Sequence, residues 1–459
     1  MTEWFDLVVI GGGPAGYAGA IRAAQLGKRV ACVEMERAGG SCINWGCIPT
    51  KSLLRNAELY QLMRTRATDF GMVFTDLSYD WAKVLGRSQK VVAQLVGGIE
   101  ALLKKNQVEY LHGEASLINE KTIVVTLGGE TVKLLNTRHV LVATGVRPRE
   151  LVGMTFNGST IVDSRQALSL KKQPGTIVII GGGAIGVEFA YFFNAYGTQV
   201  TLVEAMPQLV PLEDEEVSEA LRISFTRQGI RILTNTRVES GNVTNQGIKL
   251  DLVGDTSDTL QAGVALVAAG VAPVLPPGLN CELDQGYIKV DDRYETSVKG
   301  ICAAGDVIGP PWLAHVASFE AIQAVEGMFT EGKPRQIGVF PNCTYCQPQI
   351  ASIGMTEKEV RNARLPYRVG RFPFRISGKA LAHGTPEGFV KIIIGEPEGE
   401  LLGAHIIGAE ATEMVAELGV AMTLEATYAE IEATIHAHPT LSEAVHEASS
   451  AAFGEAIYV

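Results

Sequence analysis

The clearest regularity in this chain is an order of apolar and polar positions that occurs twice. Residues 5–10 form a short apolar run, and residues 17–26 follow with small and apolar positions at helical spacing. Residues 29–33 form a second apolar run, which ends at Glu34. Short runs of this kind are typical of strands buried on both faces of a parallel sheet. The order therefore predicts a strand, a helix and a second, parallel strand.

The same order returns between residues 176 and 204. An apolar run at 176–180, a helix-like stretch from Val187 and an apolar run at 200–203 end at Glu204. The first glycine and the acid are 23 positions apart in both copies, from 11 to 34 and from 181 to 204. This duplication predicts two copies of one structural unit.

A glycine-rich turn of the form Gly-x-Gly-x-x-Gly connects strand and helix in each copy. In that setting the first glycine permits the turn, the second lets the backbone approach a pyrophosphate, and the third lets helix and strand pack closely. The pyrophosphate lies at the helix N-terminus, and the acid accepts hydrogen bonds from an adenosine ribose. We therefore predict two dinucleotide sites, formed by Gly11, Gly13, Gly16 and Glu34 and by Gly181, Gly183, Gly186 and Glu204.

Around these units the pattern predicts a polar helix at residues 82–105 and hairpin strands at 108–126. Single strands are predicted at residues 140–144, 266–269 and 297–304. The strand at 297–304 leads into Gly305 and Asp306. An acid at such a strand end binds the ribityl or phosphate part of a flavin, or it caps a turn. The local sequence leaves both interpretations open.

From about residue 338 the pattern changes and no glycine-rich turn recurs. Strands of a mainly antiparallel sheet are predicted at Val339 and at residues 350–354, 367–371, 389–394 and 402–407, with helices at 412–423 and 443–452. This region is predicted to be a separate domain that serves association.

Two cysteines, Cys42 and Cys47, precede a helical stretch at residues 52–63. In a regular helix their Cα atoms would lie roughly 8–9 Å apart, whereas a disulfide needs about 4.4–6.8 Å. A bridge therefore requires a distorted first turn, which Gly46 and Pro49 permit. Two ordinary buried cysteines are the alternative, but the two nucleotide units make a third redox station the simpler interpretation.

Composition narrows the class of protein. The chain has 459 residues, 46% of them hydrophobic, a net charge of −11 and seven scattered cysteines. The negative charge argues against nucleic acid and anionic membranes as partners. No apolar run approaches the roughly 18 residues of a membrane span, and no secretion signal is visible. We expect a cytoplasmic protein, in which a Cys42–Cys47 bridge is catalytic rather than structural.

His438 and Glu443 form the second chemical cluster. Histidine carries protons near neutral pH, and a carboxylate five residues later can orient it. Thr440 and Glu443 also fit a capping box without catalytic duty, and both interpretations can hold together. Cys343 and Cys346 form a lone Cys-x-x-Cys pair, which is poor evidence for zinc, and no metal is predicted.

Together these residues resemble the flavin-dependent pyridine nucleotide–disulfide oxidoreductases, and most of all their dihydrolipoyl dehydrogenase branch. The resemblance covers essentially the whole chain. It depends on residues 11–16, 40–42, 47–51, 143–145, 181–188, 305–306, 313–315 and 438–443. It implies an α/β fold with two Rossmann-like dinucleotide-binding domains and an α+β C-terminal dimerisation domain. The implied boundaries are 1–149 for FAD, 150–274 for NAD, 275–337 for a central domain completing the FAD site, and 338–459 for the interface.

The resemblance also implies roles for single residues. Cys47 would lie against the flavin as the charge-transfer thiol, and Cys42 would exchange with the substrate disulfide. His438 of the other subunit, supported by Glu443, would be the acid–base catalyst. Lys51 and Glu188 would pair on the nicotinamide side of the flavin. Further implied cofactor-binding residues are Pro14, Ala15, Gly40, Ser41, Thr144, Gly145, Ile185, Gly270, Asp306, Leu313, Ala314 and His315.

Two departures from the family pattern bear on the cofactor sites. Ser41 stands where many members have threonine, a mild change. Many members have an arginine shortly after the second closing loop, where this chain has Gly270-Val271-Ala272-Pro273. That nicotinamide-side contact is therefore not carried over.

The implied reaction is oxidation of dihydrolipoamide to lipoamide through Cys42–Cys47 and FAD, with NAD+ as acceptor. A homodimer is implied, with a small-molecule nicotinamide and lipoyl-bearing domains of 2-oxoacid dehydrogenase or glycine cleavage complexes as partners. The alternatives are a glutathione- or mercuric-reductase-like enzyme and a flavoprotein subunit without turnover. No cysteine occurs in the last five residues, where mercuric reductases carry extra ones.

Overall fold

The computed structural model describes residues 3–459, with side chains from residue 4 onward. The chain forms two compact units. The first unit comprises the chain up to Ser52 together with Ala82–Arg149 and Gly270–Ile337. The second comprises Leu53–Trp81, Glu150–Ala269 and Gly338–Val459. Each unit therefore joins segments that are distant in sequence.

A seven-stranded sheet is the centre of the first unit. Its parallel strands are Glu109–His112, Val30–Glu34, Glu3–Ile10, Glu130–Val142 and Ile301–Ala303. The antiparallel strands Thr122–Leu127 and Glu114–Asn119 extend it. The predicted hairpin at 108–126 is thus partly wrong, because its first strand pairs in parallel with Val30–Glu34. The helices are Pro14–Gln25, Gly40–Trp45, Trp81–Lys105 and Ala314–Phe329, with a 3₁₀ turn at Asp306–Ile308.

The helices Pro14–Gln25 and Ala314–Phe329 pack on each other beside this sheet. A Cβ atom at Gly19 would lie 2.6 Å from the end of the Leu141 side chain, which would have to shift if position 19 carried a side chain. Small two-stranded sheets complete the unit, formed by Val146–Pro148 with Val271–Pro273 and by Leu283–Asp284 with Tyr287–Ile288. The helix Cys47–Arg66 starts in this unit and continues into the second.

The second unit repeats the parallel arrangement with five strands. In spatial order these are Arg231–Leu233, Gln199–Val203, Thr176–Ile180, Val264–Val267 and Ile161–Val162. An antiparallel sheet of Thr236–Thr244, Gly247–Gly254 and Thr259–Ala262 lies next in sequence. The helices here are Ser164–Ala167, Ala184–Ala195 and Glu215–Arg227, and Ala67–Phe70 is a 3₁₀ turn.

The C-terminal part of the second unit is an antiparallel sheet with helices. Its strands, in spatial order, are Asn342–Thr344, Gln349–Gly354, Leu401–Gly408, Gly388–Gly395 and Tyr367–Pro373. Its helices are Glu357–Ala363, Gly378–His383, Ala411–Thr423, Tyr428–Ala433 and Glu443–Ala451, with a 3₁₀ turn at Phe374–Ile376. The predicted fold class is confirmed.

One predicted strand is wrong and several bounds differ. Val339 is 45% exposed and lies outside any strand, because Pro341 follows closely and the ladder begins only at Asn342. The strand predicted at 297–304 is limited to Ile301–Ala303. Among residues 3–459 no helix combines the length and the apolar character that crossing a membrane requires.

Candidate functional site

The first nucleotide turn depends on glycine for steric reasons. Gly11 has φ +104°, and a Cβ atom there would lie 2.3 Å from the carbonyl oxygen of Ala143. A Cβ atom at Gly16 would lie 1.8 Å from the carbonyl oxygen of Gly11. The helix then begins after Gly13 with Pro14 at its first position, and no side chain caps it. Its first backbone N–H groups are therefore available to a pyrophosphate, so the turn fits a dinucleotide.

Glu34 closes this turn from the end of the second strand. Its Oε2 accepts a hydrogen bond from the N–H of Gly12 at 2.7 Å, and its Oε1 accepts one from the N–H of Glu36 at 2.7 Å. The side chain is 7% exposed. A carboxylate has about four acceptor positions, so these two bonds orient Glu34 and leave capacity for the predicted ribose contact.

A pair of acids, Asp306 and Glu320, lies near the end of the strand Ile301–Ala303. Asp306 starts the 3₁₀ turn after Gly305, whose N–H donates to Glu320 at 2.7 Å. Burial raises the pKa of Asp306 to about 6. Burial and the nearby Asp306 raise the pKa of Glu320 to about 7, although the hydrogen bond from Gly305 acts in the opposite direction. Two acids kept partly neutral suit a hydroxyl-rich ligand such as a ribityl chain.

Glu320 was not predicted as a site residue. A signal was present, because Glu320 shares the helix face of Val316, Ala317, Ala321 and Ala324, which are all buried. The same helix, Ala314–Phe329, begins after Leu313 without a side-chain cap, next to the exposed His315. This uncapped start is a further place in the first unit for an anionic group.

The closing loop of the first unit is fixed by its own polar groups. The Thr144 hydroxyl donates to the carbonyl of Val274, and the N–H of Val274 donates to the carbonyl of Gly145 at 2.9 Å. Gly145 has φ +68° and Gly270 has φ +105°. Hydrogen bonds therefore connect the loop at Thr144 and Gly145 to the segment that follows Gly270, and both lie in the first unit.

The redox segment, residues 39–51, is broken where the sequence predicts a distortion. The helix Gly40–Trp45 ends at Gly46, and a new helix starts at Cys47. Gly46 has φ −127° and ψ −114°, and a Cβ atom there would lie 2.9 Å from the carbonyl oxygen of Ser41. Cys42 and Cys47 thus belong to separate helical segments, which is how they approach each other more closely than one helix allows.

The two thiols are hydrogen-bonded to each other. That bond, then burial, then the charge on Cys47 raise the pKa of Cys42, while Lys51 opposes the shift. Of the two thiols, Cys42 is therefore the one whose ionisation is disfavoured. Burial, then Cys42 and Cys47, also raise the pKa of Tyr17, which sequence reasoning did not single out.

Asn44 ties the redox segment to the turn that precedes it. Its buried amide donates to the carbonyls of Ala38 at 2.9 Å and Gly40 at 3.0 Å. Gly40 in turn lies against Gly13, because a Cβ atom at Gly40 would lie 2.5 Å from the Cα of Gly13. The cysteine pair is therefore built directly onto the first nucleotide turn.

The second nucleotide turn repeats this geometry in the second unit. Gly181 has φ +110°, and a Cβ atom there would lie 2.5 Å from the carbonyl oxygen of Ala268. Glu204 accepts from the N–H groups of Gly182 at 2.6 Å and Met206 at 2.7 Å. The helix Ala184–Ala195 begins after Gly183 without a side-chain cap, and Ile185 is 45% exposed at its start.

Glu188 lies one turn into that helix and is 4% exposed. Its Oε1 accepts a hydrogen bond from the N–H of Tyr345 at 2.9 Å. Lys51 belongs to the first unit and Glu188 to the second. Their pairing stays a prediction.

His438 and Glu443 meet as predicted from their spacing. Nδ1 of His438 is 2.8 Å from Oε1 of Glu443, and His438 is 80% exposed. Oε2 of Glu443 accepts from the N–H of Thr440 at 2.7 Å. Burial opposes ionisation, but the Thr440 bond and His438 hold the pKa of Glu443 below its usual value.

The capping-box interpretation of this turn is half wrong. The Thr440 hydroxyl donates to the carbonyl of Ala437, so it does not cap the helix. The N-cap position is Ser442, and no side chain caps it. Glu443 therefore uses Oε2 for Thr440 and Oε1 for Nδ1 of His438. The other ring nitrogen of His438, Nε2, is directed away from the carboxylate. Within residues 3–459 no group of three or more acidic, histidine or cysteine side chains is placed to hold a metal ion.

Comparison with known proteins now defines the class. The family model for pyridine nucleotide-disulphide oxidoreductases matches residues 5–321, and the model for the dimerisation domain of that family matches residues 340–449. The chain belongs to the pyridine nucleotide–disulphide oxidoreductase family.

Its curated relatives narrow the comparison further. It is 43% identical to the dihydrolipoyl dehydrogenase of Zymomonas mobilis over 467 residues, with 100% of both chains covered. It is 39% identical to that of Bacillus subtilis, again with 100% of both covered. Among solved structures, LpdA from Mycobacterium tuberculosis matches with TM-score 0.89 and 27% identity, covering 98% of this chain and 99% of that one. The flavoprotein disulfide reductase RclA from Escherichia coli matches with TM-score 0.85 and 26% identity, covering 97% and 99%.

Proposed function

We propose that this chain oxidises dihydrolipoamide to lipoamide and passes the electrons through FAD to NAD+. The observation that carries the proposal is the hydrogen-bonded Cys42–Cys47 pair across the break at Gly46. Relatives of the same length with 39–43% identity are dihydrolipoyl dehydrogenases, which supports the choice of substrate.

The residues present fit both cofactors. FAD would be held at the first turn, where Gly11, Gly13 and Gly16 leave room for backbone contact, and Asp306 would hold its ribityl chain. NAD belongs at the second, equivalent turn. The bound flavin supplies electron transfer between the thiols and the nicotinamide. The thiol exchange and the proton transfers are carried out by side chains of the protein.

In the oxidised enzyme Cys42 and Cys47 form a disulfide. One substrate thiolate attacks Sγ of Cys42, which forms a mixed disulfide and releases Cys47 as a thiolate. The second substrate thiol loses its proton to a base and attacks the substrate sulfur bound to Cys42. The substrate leaves as a disulfide, and Cys42 takes a proton. The product of these steps is the protonated Cys42 beside an anionic Cys47, which is the arrangement that the thiol–thiol bond favours.

His438 is our candidate for the base. Its imidazole is oriented by Glu443 at 2.8 Å and is largely exposed, so Nε2 is accessible to a group outside its own chain. The dimerisation-domain match at residues 340–449 includes this turn. We infer that His438 reaches the cysteines of the partner subunit of a homodimer. Glu443 then stabilises the imidazolium after proton transfer.

Glu204 favours NAD over NADP. Both of its oxygens are held by backbone N–H groups, so the carboxylate stays at the strand end. A carboxylate there accepts from a ribose 2′-OH and repels a 2′-phosphate.

The partners we propose are lipoyl-bearing domains of 2-oxoacid dehydrogenase or glycine cleavage complexes. A cytoplasmic location agrees with a cysteine pair that must cycle between thiol and disulfide, since structural disulfides are rare in that compartment.

Steady-state assays of the purified protein test this function. NADH oxidation should be fast with lipoamide, and slow with glutathione disulfide or Hg²⁺. Cys42→Ser is the matched control, and it should remove lipoamide turnover while FAD stays bound. Preference for glutathione disulfide or Hg²⁺ would assign the alternative reductase class, and a flavoprotein without turnover would be a subunit of another kind.

A further inference from the structure

The Cys343-Thr344-Tyr345-Cys346 segment forms one side of a hairpin that reaches the helix of the second nucleotide turn. We call residues 342–354 the Cys346 hairpin. Its strands Asn342–Thr344 and Gln349–Gly354 pair antiparallel. The strand Asn342–Thr344 contacts the helix Ala184–Ala195, and both lie in the second unit.

The tip of this hairpin makes a specific polar contact. The backbone N–H of Tyr345 donates to Oε1 of Glu188 at 2.9 Å. Because Glu188 is 4% exposed, water cannot readily replace this bond if it is lost. A bond from an N–H to a carboxylate is stronger and more directional than one between neutral groups.

Cys346 fixes the tip in this position. It is fully buried, and its Sγ donates to the carbonyl of Pro348 at 3.3 Å. Burial, then Glu58 and Cys346, raise the pKa of Tyr191, so Cys346 lies close to the helix three residues after Glu188. The hairpin therefore contacts the helix at Glu188 through Tyr345, and Cys346 lies near Tyr191 on the same face of the helix.

We propose that the Cys346 hairpin is a positioning element for hydride exchange, in which the Tyr345 N–H holds the Glu188 carboxylate in its working orientation. This inference rests on the proposed function and on the role that the family resemblance implies for Glu188, on the nicotinamide side of the flavin. The C-terminal region then acts in both halves of the reaction, through His438 on the thiols and through Tyr345 on the hydride side. The Cys-x-x-Cys pair becomes part of a structural turn instead of a second redox centre.

The most direct test removes only the N–H. Tyr345 is replaced by its α-hydroxy acid through stop-codon suppression, which puts an ester oxygen in place of the N–H and keeps the phenol. Suppression of the same codon with tyrosine is the matched control. Stopped-flow reduction of the bound flavin by NADH should slow roughly 10-fold, and thiol exchange with dihydrolipoamide should not change. Unchanged reduction by NADH would overturn the inference.

A double-mutant cycle separates positioning from general damage. Tyr345→Pro lacks the N–H, and Tyr345→Ala, which keeps it, is the reference. Each is combined with Glu188→Ala. If the N–H acts through Glu188, the difference between Pro and Ala disappears in the Glu188→Ala background. If the rates of flavin reduction in the Pro and Ala variants differ equally with and without Glu188, the hairpin does not act through Glu188.

The same experiments separate this inference from the proposed function. If Glu188→Ala slows reduction by NADH and the ester variant does not, only the role of the hairpin fails. If Glu188→Ala leaves reduction by NADH unchanged, the assigned role of Glu188 fails and the hairpin inference fails with it. Lipoamide turnover by the unmodified enzyme reports on the overall function independently.

Discussion

The two glycine-rich turns share a backbone path: Gly11 has φ +104° and Gly181 has φ +110°. In each turn a strand-end glutamate accepts from two backbone N–H groups at 2.6–2.7 Å. They differ in what lies against the second glycine. A Cβ atom at Gly13 would lie 3.7 Å from Gly40. Apart from its own chain neighbours, no heavy atom of residues 3–459 lies within 4 Å of a Cβ atom at Gly183.

This difference explains how one motif serves two kinds of cofactor. The first turn is closed by the redox segment and by the acid pair Asp306 and Glu320, as suits a cofactor that stays bound through many turnovers. The second turn is open at the equivalent position, as suits a nicotinamide that binds and leaves in each cycle.

The largest expected effect comes from the cysteines, which only the first turn carries. Cys47→Ser should reduce lipoamide turnover by at least roughly 10³-fold, because neither the disulfide nor the anionic thiol can form. It should also abolish the long-wavelength absorbance of the reduced enzyme, whereas Cys42→Ser should retain that absorbance. Cys343→Ser is the matched control. Alkylation of the reduced enzyme mainly at Cys343 or Cys346 would contradict this assignment.

The next effect concerns His438. His438→Ala should slow dithiol oxidation about 10²–10⁴-fold, the usual contribution of general acid–base catalysis, and leave FAD bound. Glu443→Ala should do less, because it loses only the orientation and charge stabilisation of the imidazole.

Mixed dimers test whether the site is shared. A heterodimer of a Cys47→Ser subunit and a His438→Ala subunit should have one intact site, so about half of the wild-type activity returns. No recovery in a population with demonstrated heterodimers would mean that His438 does not act across subunits.

The two strand-end glutamates allow a matched swap between the turns. Glu204→Gln should raise the KM for NADH roughly 10-fold and narrow the preference over NADPH, because a charged acceptor is lost. Glu34→Gln should instead weaken retention of FAD and leave the KM for NADH unchanged. Equal efficiency of the unmodified enzyme with NADH and NADPH would refute the role given to Glu204.

The smallest effect concerns the acid pair. In the flavin-free protein the folded-state pKa of Asp306, about 6, lies above its usual 3.8, and that of Glu320, about 7, above its usual 4.5. Folding therefore favours the protonated acids. The contribution of these protonated acids to the stability of the fold is fully present below about pH 4 and is lost as the pH rises towards 7.

Asp306→Asn removes one of the two titrating groups. We measure the free energy of unfolding in urea for both flavin-free proteins. As the pH rises from about 4 to about 7, the value for the variant should increase by about 1–3 kcal/mol relative to the value for the unmodified protein. A parallel pH dependence of the two proteins would show that burial of Asp306 is not coupled to its protonation.

Much of this arrangement could be predicted from local sequence. Both nucleotide turns follow from glycine spacing, because Gly16 meets the carbonyl oxygen of Gly11 within one strand–turn–helix unit. The contact of Gly11 with Ala143 depends on a distant part of the chain. The break at Gly46 and the contact of His438 with Glu443 also arise within a few residues. Such features are decided by neighbours in sequence.

The features that were missed depend on distant parts of the chain. The edge strand predicted at Val339 begins only at Asn342, and the first strand of the predicted hairpin joins the parallel sheet. Glu320 became a site residue because its helix face packs in the interior, and Tyr345 meets Glu188 although 157 positions separate them. No local pattern specifies contacts of this kind, because tertiary packing decides them.

An anaerobic titration of the FAD-loaded enzyme tests the central claim most directly. About one equivalent of dihydrolipoamide should produce the long-wavelength band of a thiolate beside oxidised flavin. The raised pKa of Cys42 disfavours its ionisation, so we expect Cys47 to be the thiol that carries the charge. NAD+ should then remove the band and yield about one NADH per dithiol. Loss of flavin colour without the band, or failure of NAD+ to produce NADH, would contradict the account.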